Sequence, residues 1–464
     1  MSSTLPPSPG SDIVPMATTA ELEKEEKEEG SEGDVFKSEE KSEPEEVTVT
    51  ETAPNPMAGL PPPDVGIKAW LACLGAFCGI YASFGYINVV GMFEAFYLTN
   101  QLSNYSASTV SWITSLQIFL LVAGGLLFGP VAERYGPRYL AGVGTCFVVL
   151  GVFTTSASYK YWHFLLAQGI CTSLGNSMLY YASLLGVSTW FKAKRGFTLG
   201  IAVAGSSIGG LTMPFMFSEL EPRIGFPWTV RAIGFVLLGM SLICTVTISS
   251  RIPANPKLPL FDLKKDLIEP YKNVHIWLLT AGIFMTFWGL FVPIGYMSVQ
   301  GQSNNMSPRV SFYLISIYNG CSVVGRILPG IIADHVGGFN MHAFCTILCS
   351  VFIFALWIPA RTNPPIIAFS AVFGIISGSS ISLFPALVGM VTPVAEVGRR
   401  LGMVSFWVAW ACLTCMPIAG QILIKDGGSF DGCQAWAGVF MFCGGVTIFI
   451  TKLTIPGKTW KSRF

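Results

Sequence analysis

Apolar runs long enough to cross a membrane repeat along most of the chain, and short polar breaks separate them. Each run has roughly the 20 residues that an α-helix needs to span about 30 Å of hydrocarbon. Helices also satisfy the backbone hydrogen bonds in that setting. The pattern predicts twelve membrane-spanning helices, near residues 70–93, 109–131, 139–158, 162–187, 197–218, 230–249, 274–298, 310–334, 340–360, 365–390, 401–424 and 434–452.

The composition is that of a membrane protein, except at the start of the chain, which is acidic and poor in apolar residues. Of 464 residues, 52% are hydrophobic and only 12% are charged, against about 25% charged in a soluble protein. Residues 1–62 carry fifteen acidic side chains and four lysines. With few apolar side chains to bury, this segment has little to offset the entropy lost on ordering. We therefore expect an acidic, disordered tail over residues 1–63.

Lysine and arginine in the breaks predict the orientation of the helices. With the N-terminus inside, the inner segments hold seventeen of these residues and the outer loops hold five. This bias predicts that both termini are cytoplasmic. Two N-x-S sequons, at Asn104 and Asn305, fall in predicted outer loops and are candidate glycosylation sites.

An internal repeat divides the chain into halves. The turn GPVAERYG at 129–136 has a counterpart, GIIADHVG, at 330–337, an offset of 201 residues. We predict an N-terminal six-helix bundle over 64–249, a cytoplasmic linker over 250–273, a C-terminal six-helix bundle over 274–452 and a tail over 453–464.

The charged turns admit two interpretations. Their acidic side chains can interact with the N-terminus of a neighbouring helix and form a latch that breaks when an inner gate opens. Alternatively, the basic residues simply anchor the turn at the inner headgroups. The candidate gating residues are Gly129, Glu133, Arg134, Gly136, Arg138, Arg195 and Asp334.

Four segments resemble known transporters. GPVAERYGPR resembles the major facilitator signature between helices 2 and 3, with Glu133 where aspartate is usual. DVGIKAW at 64–70, WFKAKRGFTLGIAVAGSSIGG at 190–210 and NGCSVVGRILPGIIADHVG at 319–337 are similar to signatures of the monocarboxylate porter family, particularly its fungal members. The resemblance covers about 64–452. It implies an all-α integral membrane fold of 12 helices in two bundles, alternating access to a central site, and the plasma membrane as location.

Arg326 is the most informative single residue of the predicted helices. A charge about two thirds along a membrane helix is costly unless it is paired or faces a cavity. The alternatives are an arginine that snorkels to the inner surface or pairs with Asp334. The resemblance implies that this arginine binds a substrate carboxylate. Polar and aromatic residues that could line the same cavity are Tyr86, Asn88, Gln117, Asn176, Tyr180, Tyr318, Asn319, Ser379, Ser380, Phe384 and Trp407.

Two departures from the family pattern leave proton coupling open. Ser322 stands where proton-coupled members carry an aspartate, and Asn88 and Val89 lie where those members carry a lysine. Other titratable candidates in the predicted helices, Glu94, His163 and Arg231, are expected near the outer rim as interface residues.

These observations favour a secondary transporter that moves a small organic acid or related metabolite, with export of a secondary metabolite preferred. Proton-coupled uptake of a short monocarboxylate is the alternative, and a transporter-like sensor or membrane enzyme is less favoured. The four histidines are scattered and no GxxxxGK[ST] motif occurs, so we expect no enzyme activity, cofactor or metal. The expected partners are a small-molecule substrate and the lipid bilayer, not nucleic acid, with a monomer as the functional unit.

Overall fold

The structure, a computed structural model, describes residues 64–260, 262 and 264–455. The predicted acidic tail over 1–63 and most of the predicted C-terminal tail lie outside these residues. Within the described residues, every regular element is helical.

Twelve long helical segments, α1 to α12, follow one another along the chain. In order, they are Ile67–Thr99; Ala107–Ala123 with Gly125–Tyr135; Pro137–Ser156; 161–190; 195–224; 226–247; Val274–Ser303; Pro308–Val336; Gly338–Trp357; Asn363–Met390; Val397–Lys425; and Asp431–Thr454. Short helices, Lys264–Ile268 and Glu269–Lys272, precede α7.

The helices α5 and α6 form one continuous 53-residue segment, Arg195–Thr247, which changes direction at Gly225, where φ is 78°. A straight helix of that length would measure about 80 Å, more than twice the hydrocarbon thickness. The segment is therefore two spans joined at a glycine, since a positive φ is readily adopted only by this residue.

By length and hydropathy alone, nine helices of the described residues qualify as membrane spans, and ten if the two parts of α2, bent by 41°, count as one. Dividing Arg195–Thr247 at Gly225 adds another. The remaining helix is α4, which is interrupted by a π-helical stretch at Leu165–Thr172. The predicted twelve-helix architecture is confirmed.

The helices pack as two bundles. In the first, α1 packs on α4, α5 and α6, and α3 packs on α4 and α6; in the second, α7 packs on α11 and α12, α8 on α10, and α9 on α12. Across the halves, α2 packs on α11 and α5 packs on α8.

Glycines let the two halves touch backbone to backbone. A Cβ added to Gly129 on α2 would lie 2.2 Å from the carbonyl oxygen of Gly398 on α11. A Cβ on Gly330 of α8 would lie 2.4 Å from the carbonyl oxygen of Gly196 on α5. These contacts lie at the end of the molecule that carries the connection between α6 and α7, which we call the linker end. Small residues are what such close helix crossings require.

Candidate functional site

Arg326 lies on α8 at the contact with α5 and is only 4% exposed. Its Nη1 donates to the carbonyl oxygen of Val203, at 2.7 Å, and to the hydroxyl of Ser206, both on α5. The Nε atom is buried and has no acceptor among the described residues. The guanidinium thus joins the two halves through neutral acceptors alone, and it neither snorkels to the surface nor pairs with Asp334.

Neutral side chains surround this arginine. Tyr180 from the first half and Tyr318 from the second lie close enough to interact with its charge. Farther from the linker end, Asn319 Nδ2 lies 3.4 Å from Asn88 Oδ1. Asn88 and Asn319 therefore meet across the boundary between the halves, whereas the Tyr318 ring packs on Phe373 of its own half, with ring centroids 6.0 Å apart.

The position that carries an aspartate in proton-coupled family members holds a neutral contact here. The hydroxyls of Ser322 on α8 and Ser207 on α5 lie 3.1 Å apart. Nothing in the sequence singled out Ser207, which lies on a helix rich in small residues.

A second group of polar residues lies inside the first bundle. The Tyr97 hydroxyl donates to Gln168 Oε1 at 2.6 Å, and Gln168 Nε2 donates to Gln117 Oε1 at 3.0 Å. In the part of the chain that the structure describes, Gln117 Nε2, the Tyr86 hydroxyl and both side-chain amide atoms of Asn176 are buried without a partner. Sequence reasoning missed Gln168, although an amide within an apolar helix was the available signal. Unpaired buried groups of this kind can hydrogen-bond water or a substrate.

The remaining candidates lie elsewhere. Ser379 donates within its own helix to Ile376, and the Ser380 hydroxyl lies 3.2 Å from that of Thr346 on α9. Phe384 packs on α7, with its ring centroid 5.8 Å from that of Phe287. Trp407 is 41% exposed and lines a separate cavity beside α7. That they contact the substrate stays a prediction.

The two repeated turns make equivalent contacts at the linker end. Glu133, near the end of α2, accepts from the backbone N–H of Arg399 at 2.8 Å, and the Arg399 guanidinium lies 3.7 Å from the same carboxylate. Asp334, near the end of α8, accepts from the N–H groups of Gly196 and Phe197 at 2.7 and 2.9 Å. Each carboxylate therefore binds the N-terminus of a helix in the other half, where the helix dipole favours negative charge.

The other candidate gating residues reinforce this end. Arg134 donates to the carbonyl of Leu258 in the linker, Arg138 to those of Thr245 and Val246, and Arg195 to that of Gly389 on α10. Gly136 has a φ of 89°, which makes the sharp turn between α2 and α3 possible. Whether these contacts gate transport is still a prediction.

Asp64 adds a contact that sequence reasoning did not anticipate. Its carboxylate accepts from the backbone N–H groups of Lys192, Ala193 and Lys194, each at 3.0 Å, just before α5. Partial burial acts to raise the pKa of Asp64, but these hydrogen bonds and the charge of Lys194 lower it overall. The carboxylate thus fixes the start of α1 against the α4–α5 connection.

The candidate glycosylation residues, Asn104 and Asn305, are exposed in the connections that precede α2 and α8, at the end opposite the linker. At that end, Thr114 donates to Glu94 at 2.7 Å, and Arg231 donates to Ser156 at 3.2 Å. Within the described residues, no group of three or more His, Cys, Asp or Glu side chains could hold a metal ion.

Comparisons with known proteins agree with this architecture. The profile of the Major Facilitator Superfamily matches residues 73–362. An MFS-type transporter of Ophiocordyceps is 40% identical over 89% of this chain and 92% of its own length. The fujikurins efflux protein of Gibberella fujikuroi is 37% identical over 86% of this chain and 85% of its own.

Among solved structures, the Escherichia coli fucose:proton symporter FucP superposes with a TM-score of 0.66. The match covers 82% of this chain and 98% of FucP at 11% sequence identity, and so shows the fold. Two helical bundles joined by glycine contacts, a buried arginine between them and the sequence matches lead to one conclusion: the chain belongs to the major facilitator superfamily of membrane transporters.

Proposed function

We propose that this transporter exports an organic metabolite that carries an acidic group, and that Arg326 binds that group. The observation that carries the proposal is a buried guanidinium whose hydrogen-bond acceptors are neutral. No carboxylate of the described residues pairs with it. A buried charge without a countercharge costs several kcal/mol, so a substrate anion would be stabilised there.

The same contacts link binding to alternating access. In this structure, Arg326 on α8 donates hydrogen bonds to the backbone carbonyl of Val203 and the hydroxyl of Ser206, both on α5. An anion that binds the guanidinium competes with both acceptors, since the planar fork favours a carboxylate over a single carbonyl. Substrate binding would therefore weaken the α5–α8 contact and favour separation of the halves there.

Export is supported by relatives whose names describe efflux of fungal metabolites, such as the fujikurins efflux protein and the aspyridones efflux protein of Emericella nidulans. The aromatic residues at the boundary suit a partly apolar substrate. Proton-coupled uptake of a short monocarboxylate is the second candidate. The efflux named for two relatives and the neutral Ser207–Ser322 contact favour export.

Further parts of the proposal rest on sequence. The motif resemblance supports membership of the monocarboxylate porter family, and the positive-inside bias supports cytoplasmic termini. We place the protein in the plasma membrane, as a monomer without enzyme activity. Its bundles cover 64–249 and 274–452, joined by the linker over 250–273.

The test is flux into and out of proteoliposomes loaded with candidate organic acids under an imposed pH gradient. Replacing Arg326 by Gln removes the charge, and we expect flux to fall at least tenfold, because deleting one partner of a buried charge pair costs about 2–5 kcal/mol. Arg223→Gln is the matched control, since this arginine is exposed and pairs with Glu219 on its own helix.

Normal transport of an acidic substrate by Arg326→Gln would reject the anion site. Flux that does not respond to the pH gradient would exclude proton coupling. A purified protein that chemically alters a metabolite without moving it would contradict the transporter assignment in favour of an enzyme.

A further inference from the structure

A cavity of about 340 Å³ opens on the side of the second bundle, between α7, α11 and the short helix Glu269–Lys272. It is walled mainly by aromatic and apolar side chains, and its volume is at the lower end of those that hold drug-sized ligands. Six of the residues that line it are Tyr271, Trp277, Thr280, Phe284, Met285 and Trp407. Of these, only Trp407 was a candidate in the sequence.

The depth of the cavity follows from helix geometry. At 1.5 Å per residue, Trp277 lies about 5 Å and Met285 about 17 Å along α7 from its first residue, Val274. Trp407 lies about 15 Å along α11 from Val397. The cavity thus extends from the linker end along the first half of α7, and the tryptophans in its wall, Trp277 and Trp407, are 55% and 41% exposed.

Two buried donor groups near the linker end of this cavity, one on Tyr271 in its wall and one on Arg400 beside Tyr271, have no acceptor among the described residues. The Tyr271 hydroxyl is buried and lies close enough to Thr280 and Trp407 to be affected by them, but no atom of the described residues is in hydrogen-bonding geometry with it. Arg400, whose Nη2 binds Glu396 at 3.1 Å, has a buried Nη1 for which the described residues supply no acceptor.

Burial raises the pKa of Tyr271 to about 12, although the nearby charge of Arg400 lowers it. The hydroxyl therefore remains a donor at neutral pH. Buried donors without acceptors are rare and point to a missing partner.

We propose that this cavity binds a lipophilic organic acid taken up sideways from the membrane leaflet at the linker end, with its acidic group near Tyr271 and Arg400. The apolar body lies between Trp277, Phe284 and Trp407. The cavity would be an entry route to Arg326, and in this respect the inference rests on the proposed export of an acidic metabolite.

The walls favour an organic acid over a phospholipid. Flat rings on two helices suit a compact ring system, whose stacking on aromatic side chains adds to the apolar burial. A phospholipid would bring two long chains to a cavity of about 340 Å³ and would leave most of their length outside.

The experiment measures binding, not transport. The full-length protein in nanodiscs of phosphatidylcholine is titrated with anthracene-9-carboxylate, a three-ring acid that accepts energy from tryptophan. We expect Ala281→Trp, which fills the cavity, to raise the dissociation constant at least tenfold. Tyr271→Phe removes one donor and should raise it several-fold, by the ordinary value of a hydrogen bond. Val439→Trp, a lipid-exposed position on α12, should have no effect.

Two further comparisons isolate the site and the ligand. Probe binding should persist in Arg326→Gln, because the central arginine is not part of this cavity. Neutral anthracene-9-methanol should bind several-fold more weakly than the acid. Tyr271→Phe keeps the proposal testable if Ala281→Trp fails to fold.

Unchanged binding by Ala281→Trp, or by Tyr271→Phe, would overturn the proposal. So would displacement of the probe when phosphatidylglycerol is added to the nanodisc, since a phospholipid would then be the occupant. Probe binding without flux of any organic acid would reject the proposed function alone, whereas flux without probe binding would reject this cavity alone.

Discussion

The carboxylates of the two repeated turns should set the balance between the two states of alternating access. Glu133 and Asp334 each bind the N-terminus of a helix in the opposite half. We predict that Glu133→Gln and Asp334→Asn shift the equilibrium toward the state in which the linker end is open. Substrate specificity should stay intact, because neither side chain contacts Arg326.

The magnitude follows from the contacts. A carboxylate at a helix N-terminus contributes about 0.3–1 kcal/mol when exposed and up to about 2 kcal/mol when partly buried. The Glu133 and Arg399 side chains are 5% and 11% exposed, so the upper part of this range applies. About 1–2 kcal/mol corresponds to a shift of roughly 5- to 30-fold in the equilibrium. The two turns share no partner, so the double variant should be close to additive.

The assay is a distance distribution between spin labels on the two halves at the linker end. Labels at Lys192→Cys and Ala395→Cys, in a background without native cysteines, report opening in nanodiscs. Asp431→Asn is the matched control, because its partner at 2.7 Å, Arg361, belongs to the same half. An unshifted distribution in Glu133→Gln together with altered substrate specificity would refute the latch and leave the turn as an anchor.

Three further predictions test the packing. Gly129→Ala should favour the open linker end, because the added Cβ would lie 2.2 Å from the carbonyl oxygen of Gly398 on α11 and push the two helices apart. Gly91→Ala is the control, since a Cβ there meets open space. The same spin labels report both variants. Tyr97→Phe should lower the thermal unfolding temperature by removing a buried hydrogen bond worth about 1 kcal/mol, whereas Tyr86→Phe removes a hydroxyl without a partner; equal losses would contradict this. The pKa of Asp64 is lowered in the folded state from 3.8, so its stabilisation is present above that pH and is lost as pH falls below it; Asp64→Asn should therefore unfold at lower temperature than wild type at pH 7, with the gap narrowing near pH 3.

The number and order of the helices could be predicted from sequence because membrane length and polar breaks are local properties. The repeated turns could be predicted as well, since GPVAERYG and GIIADHVG put an acidic residue at equivalent positions of both halves. Arg326 stood out for the same reason: a charge inside an apolar run needs a partner. These signals require no knowledge of how the helices pack.

Only the tertiary structure decided which face each helix turns inward. In a membrane, lipid-facing and protein-facing surfaces are both apolar, so the sequence pattern does not fix the rotation of a helix about its axis. For this reason the sequence could not predict that Trp407 lines the side cavity, or that Gln168 hydrogen-bonds with Tyr97 and Gln117. The acceptors of Arg326 are likewise set by the α5–α8 crossing, which brings together residues more than a hundred positions apart.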